Sequence, residues 1–189
     1  MMDFSELVKK RYSCRRYLAD KIEREKIEKC IEAARLAPSA SNSQPWNFMV
    51  IDDPEKLNAV ADAAITGIYS ATKFIKNASS LIIVISDKGS FLTKVGGFVR
   101  DTTFYLIDIG IACEHLVLQA TELGLGTCYV GWFNEKAVKR ELGIKKSMNI
   151  PLIISVGYPD KDIQDKVMDS RNTKGWIRKP IEEVMKYQK

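Results

Sequence analysis

The sequence predicts an α+β domain, a small sheet with helices packed on it, and three observations carry that prediction. Leu81 to Ile85 is a short, unbroken apolar run, and Leu152 to Val156 is apolar but for Ser155; both have the length of strands buried on both faces. Apolar residues at helical spacing flank these runs, most densely from Asp101 to Leu123. No internal repeat or low-complexity tract interrupts the 189 residues, of which 46% are apolar, so one core and a single domain over 1–189 are expected.

In chain order, Asp3 stands as the N-cap of a short helix with Phe4, Leu7 and Val8 on its inward face, ending in the basic run Lys9, Lys10, Arg11. Ile27, Cys30, Ile31 and Ala34 mark a second helix, which must stop before Pro38. The small, polar stretch between Pro38 and Pro45 reads as a turn leading into a strand from Trp46 to Ile51. Asp53 followed by Pro54 opens another helix. Outside the Leu81 to Ile85 strand, the pattern from 66 to 100 is weak and punctuated by Gly67, Gly89, Gly96 and Gly97. It fits a mobile lid and an ordinary irregular surface equally well. From Asp101 to Leu123 apolar residues nearly surround the helix axis, which predicts a helix covered on all sides, part of that cover coming from a second subunit; Gly124 is its stop. Thr127 to Val130 is a short strand, and Asn134 caps a helix to Leu142. After Pro159 a polar arm ends in Trp176, Ile177, Arg178, Lys179 and a short helix begun by Pro180.

Composition excludes several function classes. No apolar run reaches the roughly 20 residues of a bilayer span, and residues 1–11 mix acids and bases, so a chain without membrane anchor or export signal is expected. Cys14, Cys30, Cys113 and Cys128 are too scattered for a disulfide framework or a zinc site, which points to a reducing cytoplasm. The net charge is +5, and the excess sits at the ends: ten basic against seven acidic side chains in residues 1–36, eight against five in 161–189. Joined in space, the ends would suit a phosphate better than a duplex. No basic stripe interleaved with aromatics, recognition helix or zinc finger supports a nucleic-acid partner.

Three stretches can carry chemistry. In Arg11-Tyr12-Ser13-Cys14-Arg15, alternate residues of an extended segment point to one side, so Arg11, Ser13 and Arg15 would converge on a phosphate; alone, the stretch reads first as a solvated basic loop. Pro38, Ser39, Asn42 and Gln44 place amides, each both donor and acceptor, where the edge of a heterocycle could be read; alone, they read first as a turn. Gly124-Leu125-Gly126 begins like a dinucleotide fingerprint, but Tyr129 replaces the third glycine and no strand precedes it. Gly131 would let backbone approach a flat ligand. His115, mid-helix among leucines, is a poor candidate for a base, and Cys14 beside Arg15 reads as an incidental thiol.

Taken together, Arg-x-Ser-x-Arg near the start, Pro-Ser-x-x-Asn-x-Gln-Pro-Trp some 25 residues later, the long helix with Asp108-Ile109-Gly110-Ile111-Ala112, and Gly-Leu-Gly with Gly131 beyond it resemble the nitroreductase family of flavin-dependent enzymes. The resemblance implies a three-layer α/β/α fold with a small, mainly antiparallel sheet and a long central helix at a dimer interface. It implies a homodimer with tightly bound FMN, NADH or NADPH as reductant, and a small-molecule electron acceptor such as a nitroaromatic or quinone, in a ping-pong hydride transfer through flavin N5. Arg11, Tyr12, Ser13 and Arg15 would hold the phosphate and ribityl end, helped by Arg178, with Lys179 as the other choice in that arm. Pro38, Ser39, Asn42 and Gln44 would meet the ring, and the backbone at Val130, Gly131 and Trp132 would lie by N5. The flavin would carry the chemistry, so no protein side chain is assigned a catalytic role. Dehalogenation, flavin breakdown and non-catalytic FMN binding remain the alternatives.

Overall fold

The structure is a computed structural model that describes residues 2–87, 102–160, 162–166 and 178–188. Gly89, Gly96, Gly97, Asp101, Trp176 and Ile177, named above, lie outside the described residues. The chain divides into two compact units, residues 1–159 and 160–189. The first runs α1 (Phe4–Lys10), α2 (Arg24–Arg35), a 3-10 turn (Ala40–Asn42), β1 (Asn47–Ile51), α3 (Pro54–Ala64), a 3-10 segment (Gly67–Asn77), β2 (Ser80–Ser86), α4 (Phe104–Glu122), β3 (Gly126–Val130), α5 (Glu135–Leu142) and β4 (Asn149–Gly157). In the second, residues 162–166 and Ile181–Val184 are helical.

The four strands form one sheet in the order β1-β2-β4-β3, with every neighbouring pair antiparallel. All seven residues of β2 are buried, and successive side chains enter different cores because strand side chains alternate. Ile82 and Val84 join Ile154 and Val156 under α2 and α4, against Ile27, Cys30, Ala34, Ile109, Ala112 and Leu116. Leu81, Ile83 and Ile85 join Ile153 under α3 and α5, against Leu57, Val60, Ala61, Ile75 and Val138. The result is helix, sheet, helix: three layers whose central strands have no polar face. Each fully buried aliphatic side chain here is worth about 1.5–3 kcal/mol.

The helix ends follow local chemistry. The Asp53 carboxylate accepts from Lys56 N at 2.9 Å with Pro54 in the first turn, and Asn134 Oδ1 accepts from Ala137 N at 3.1 Å. Gly124, at φ +77°, ends α4, and Leu125 N donates to Ala120 O at 2.8 Å while Gly124 N donates to Thr121 O at 3.1 Å, a Schellman closure. The sequence expectation fails at the start of α4 and in α1. α4 begins at Phe104, after an uncapped Thr103, instead of at Asp101. Within one chain Leu106, Ile107, Gly110 and Ile111 of α4 form an exposed stripe, with Ile107 52% exposed. In α1, the carboxylate of Asp3 takes a hydrogen bond from Ser5 instead of capping backbone, and Phe4 is 67% exposed, so this helix has no buried face. By length and composition α4 also matches a membrane span, which the sequence reading did not allow; its buried residues pack on the sheet and α2.

β4 is longer than its apolar run. Val84 pairs with Leu152 and Ser86 with Asn149, so Ile150 and Pro151 stand opposite Ile85 alone. This bulge admits a proline, which has no N–H for the ladder, into an interior strand.

Candidate functional site

The stretch after α1 is fixed to the sheet by close packing. Ser13 forms a parallel bridge with Thr127 of β3, and Cys14 N donates to Thr127 O at 2.8 Å. Cys14 is fully buried with its thiol donating to Arg16 O at 3.1 Å, and it fits because Gly126 lacks a side chain: a Cβ there would sit 2.7 Å from the Cys14 sulfur. Tyr17 repeats the device. Its hydroxyl donates to Cys14 O at 2.7 Å and meets Ser155 Oγ at 2.8 Å, while its ring occupies the space left by Gly157, where a Cβ would lie 2.6 Å from Cδ1.

Burial pushes the thiol of Cys128 up, while the charge of Arg15, then a hydrogen bond with Ser13, then the charge of Arg11 favour its ionised form. Two guanidinium groups and a hydroxyl on one short segment are the donor types of an anion site. Arg11 also bears on the neighbouring phenol of Tyr129, Tyr12 is half-buried, and the Arg15 guanidinium stands 5.8 Å from the Phe74 ring centre.

The second stretch is a strained loop. Ser41, Asn42 and Gln44 have φ of 53°, 50° and 42°, a region that non-glycine residues rarely adopt. The hydrogen bonds that hold it run within the loop and to α4. Ser39 Oγ accepts from Gln44 N at 2.9 Å, and Gln44 Nε2 donates to Asn42 Oδ1 at 3.1 Å. Asp108, on the buried side of α4, accepts from Ala40 N at 3.0 Å and from Ser43 Oγ at 3.4 Å. Pro38, Asn42 and Gln44 are exposed, Ser39 is half-buried, and Pro45 and Trp46 anchor the exit in the core.

The third stretch leaves β3 with Val130 buried, Gly131 exposed with nothing within 4 Å of where a Cβ would stand, and Trp132 exposed. Trp132 Nε1 donates to Ile68 O at 3.3 Å, and its ring lies 5.1 Å from that of Tyr69. The Gly67–Asn77 segment therefore touches Trp132 at one end and Arg15, through Phe74, at the other. The first and third stretches are thus brought together along β3, and the second is held on α4. Arg178 and Lys179 are exposed in the second unit.

Sequence reasoning missed four parts of this site: Asp108 as the loop's anchor, the 67–77 wall, and the pairs Tyr17–Gly157 and Cys14–Gly126. The one available signal was an acid between Ile107 and Ile109; close approaches between distant residues leave none. Other candidates are structural. His115 Nδ1 lies 3.2 Å from Ala33 O and ties α4 to α2, and burial pushes the thiols of Cys30 and Cys113 up to about 12. Among the described residues, no group of His, Cys, Asp and Glu could hold a metal ion.

Comparison with known proteins follows the same residues. Residues 8–73 and 69–158 match the Nitroreductase family. A protein of Archaeoglobus fulgidus, provisionally named an NADH dehydrogenase/NAD(P)H nitroreductase, is 34% identical over 169 residues, covering 87% of this chain and 90% of its own. A nitroreductase family protein of Clostridium difficile 630, solved by crystallography, is 33% identical with a TM-score of 0.76 over 100% of this chain and 99% of its own. An FMN-dependent nitroreductase from Clostridium difficile R20291 is also 33% identical, with a TM-score of 0.68 over 82% and 86% of the two chains. Matched from α1 to the end of β4, with relatives named as NAD(P)H nitroreductases and NADH dehydrogenases, the chain belongs to the nitroreductase family and is an oxidoreductase of that type.

Proposed function

We propose that the protein is a cytoplasmic, homodimeric NAD(P)H oxidoreductase that holds FMN and reduces a small acceptor such as a nitroaromatic or a quinone. The observation that carries this reading is that the stretch from Arg11 to Arg15 is fixed, through the Ser13–Thr127 bridge and the hydrogen bond from Cys14 N to Thr127 O, to β3, the strand that leads to the open Gly131.

The residues present fit the cofactor. Guanidinium groups and a hydroxyl suit a phosphate, the amides of Asn42 and Gln44 suit a ring edge with alternating donors and acceptors, and the vacant space over Gly131 suits a flat ring. When bound, FMN supplies hydride acceptance from NADH or NADPH and donation to the acceptor. The protein's part is to bind and orient. Arg11, Ser13 and Arg15 would neutralise the phosphate, and Tyr12, Pro38 and Ser39 would line the approach. The backbone of Val130, Gly131 and Trp132 holds a polar edge against the ring.

The dimer reading rests on the stripe of Leu106, Ile107, Gly110 and Ile111 on α4. Gly110, with nothing within 4 Å of its would-be Cβ, allows close helix approach, and α1 beside it exposes Phe4 and Val8. Cys14, Cys30, Cys113 and Cys128 are in no disulfide, which suits a reducing compartment.

Absorbance and sedimentation test the reading together. The purified or FMN-supplemented protein should be yellow, sediment as a dimer, and bleach on anaerobic addition of NADH or NADPH. R11A/R15A should lose FMN uptake by a hundredfold or more, yet remain dimeric. A protein that takes up no FMN, or a double variant that binds it normally, overturns the proposal.

A further inference from the structure

Asp108 is an acid in the second turn of an apolar helix, 4% exposed, and its partners come from a different part of the chain. The 3-10 turn Ala40–Asn42 begins with a backbone N–H that has no partner inside the turn. Ser39 occupies the position that would normally cap it, but its hydroxyl accepts from Gln44 N instead and gives the turn nothing. The acceptor is supplied from α4: Ala40 N reaches Asp108 Oδ1 at 3.0 Å, and Ser43 Oγ reaches Oδ2 at 3.4 Å. Those two donors flank Ser41 and Asn42, and Gln44 follows directly, so the carboxylate brackets the residues held at positive φ. Such conformations are unfavourable for residues other than glycine and persist only where surrounding structure over-determines them.

We infer that Asp108 is the positioning residue of the cofactor-edge loop: its buried carboxylate holds Ala40 and Ser43 so that Asn42 and Gln44 present their amides to FMN. This rests on the cofactor reading above. It goes beyond it in assigning the loop's shape to a side chain on another element, one that need not touch the cofactor. A charged acceptor suits the task because hydrogen bonds to an ionised carboxylate are about twice as strong as neutral ones.

Two measurements on the full chain test the inference. Asp108→Leu keeps roughly the volume and removes both acceptors in apolar surroundings; Asp108→Ala serves the same purpose if leucine does not fit. Asp108→Asn keeps one carbonyl oxygen for Ala40 N. Hydrogen exchange without flavin should be at least tenfold faster at the Ala40 and Gln44 amides in D108L, with Ile82 to Val84 as protected as in the wild type, and D108N should restore most of the difference. In an FMN titration, D108L should bind about tenfold more weakly and show altered visible circular dichroism of the bound flavin, again recovered in D108N. Unchanged exchange at Ala40 in a folded D108L or D108A variant overturns the inference, as does an unchanged flavin affinity and spectrum. A wild-type protein that takes up no FMN overturns the cofactor reading and this inference with it. Normal uptake by the wild type and by D108L overturns this inference alone.

Discussion

The segment from Ser13 to Tyr17 and the loop from Ser39 to Gln44 both present polar groups at the candidate site, but they are held by opposite means. The first is locked by shape. Two glycines in the sheet, Gly126 and Gly157, make room for Cys14 and Tyr17, and the backbone joins β3 as a bridge. The second is locked by directed hydrogen bonds accepted by Ser39 and Asp108 against an unfavourable backbone. A site built this way should tolerate polar changes but not added volume under its phosphate end, and added volume but not lost acceptors under its ring edge.

The largest expected effect comes from breaking the shape lock. Gly157→Ala would place a methyl 2.6 Å from the Tyr17 ring, which cannot swing aside while its hydroxyl is held by Cys14 and Ser155. The loss should be about 3 kcal/mol, at the upper end for overpacking, read from the urea midpoint, with exchange in the 39–44 loop unaltered.

Alkali probes the packed part of the protein next. Burial raises the pKa of Cys30 and of Cys113 to about 12 from 9.0, and raises that of Tyr17 above its usual 10.0. Groups shifted upward contribute fully below their unfolded values, and that contribution is lost as pH rises through the folded values. Stability should therefore hold to about pH 9 and fall above it, by roughly 1 kcal/mol for each of the two thiols at pH 10. Urea midpoints from pH 7 to 10.5 check this, and Cys113→Ala should flatten the decline. The smallest effect should follow Ser39→Ala. Losing the acceptor of Gln44 N should speed exchange at that amide roughly fivefold, the equivalent of about 1 kcal/mol held locally, with little change in the global urea midpoint.

Much of the frame was legible in the sequence because its signals are local. The Asp53-Pro54 start, the Asn134 cap, the Gly124 stop and the two buried central strands follow from a few adjacent residues. The site's components were legible as stretches of suitable chemistry, Arg11 to Arg15 and Pro38 to Gln44. What holds them was not. Tyr17 against Gly157 and Asp108 beneath Ala40 are pairings across 140 and 68 positions, and periodicity carries no information about them. The start of α4 was misplaced because apolar spacing does not mark a first residue, and the helix begins at Phe104 without a side-chain cap. The inward face expected for α1 failed because apolar spacing alone does not say whether another element of the same chain covers it.

With cores on both sides, β2 gains nothing from one side chain pointing in and its neighbour pointing out, so hydrophobic patterning does little to choose its register. A one-step slip against β4 would still bury aliphatic carbon on aliphatic carbon. Alignment must come from features that do not repeat: the extra residue around Pro151 at one end of the ladder, and the Tyr17 ring lodged over Gly157 at the other. These two irregular points act as the sheet's fiducial marks, and straightening the first should yield mispaired, slowly maturing chains before it yields unfolded ones.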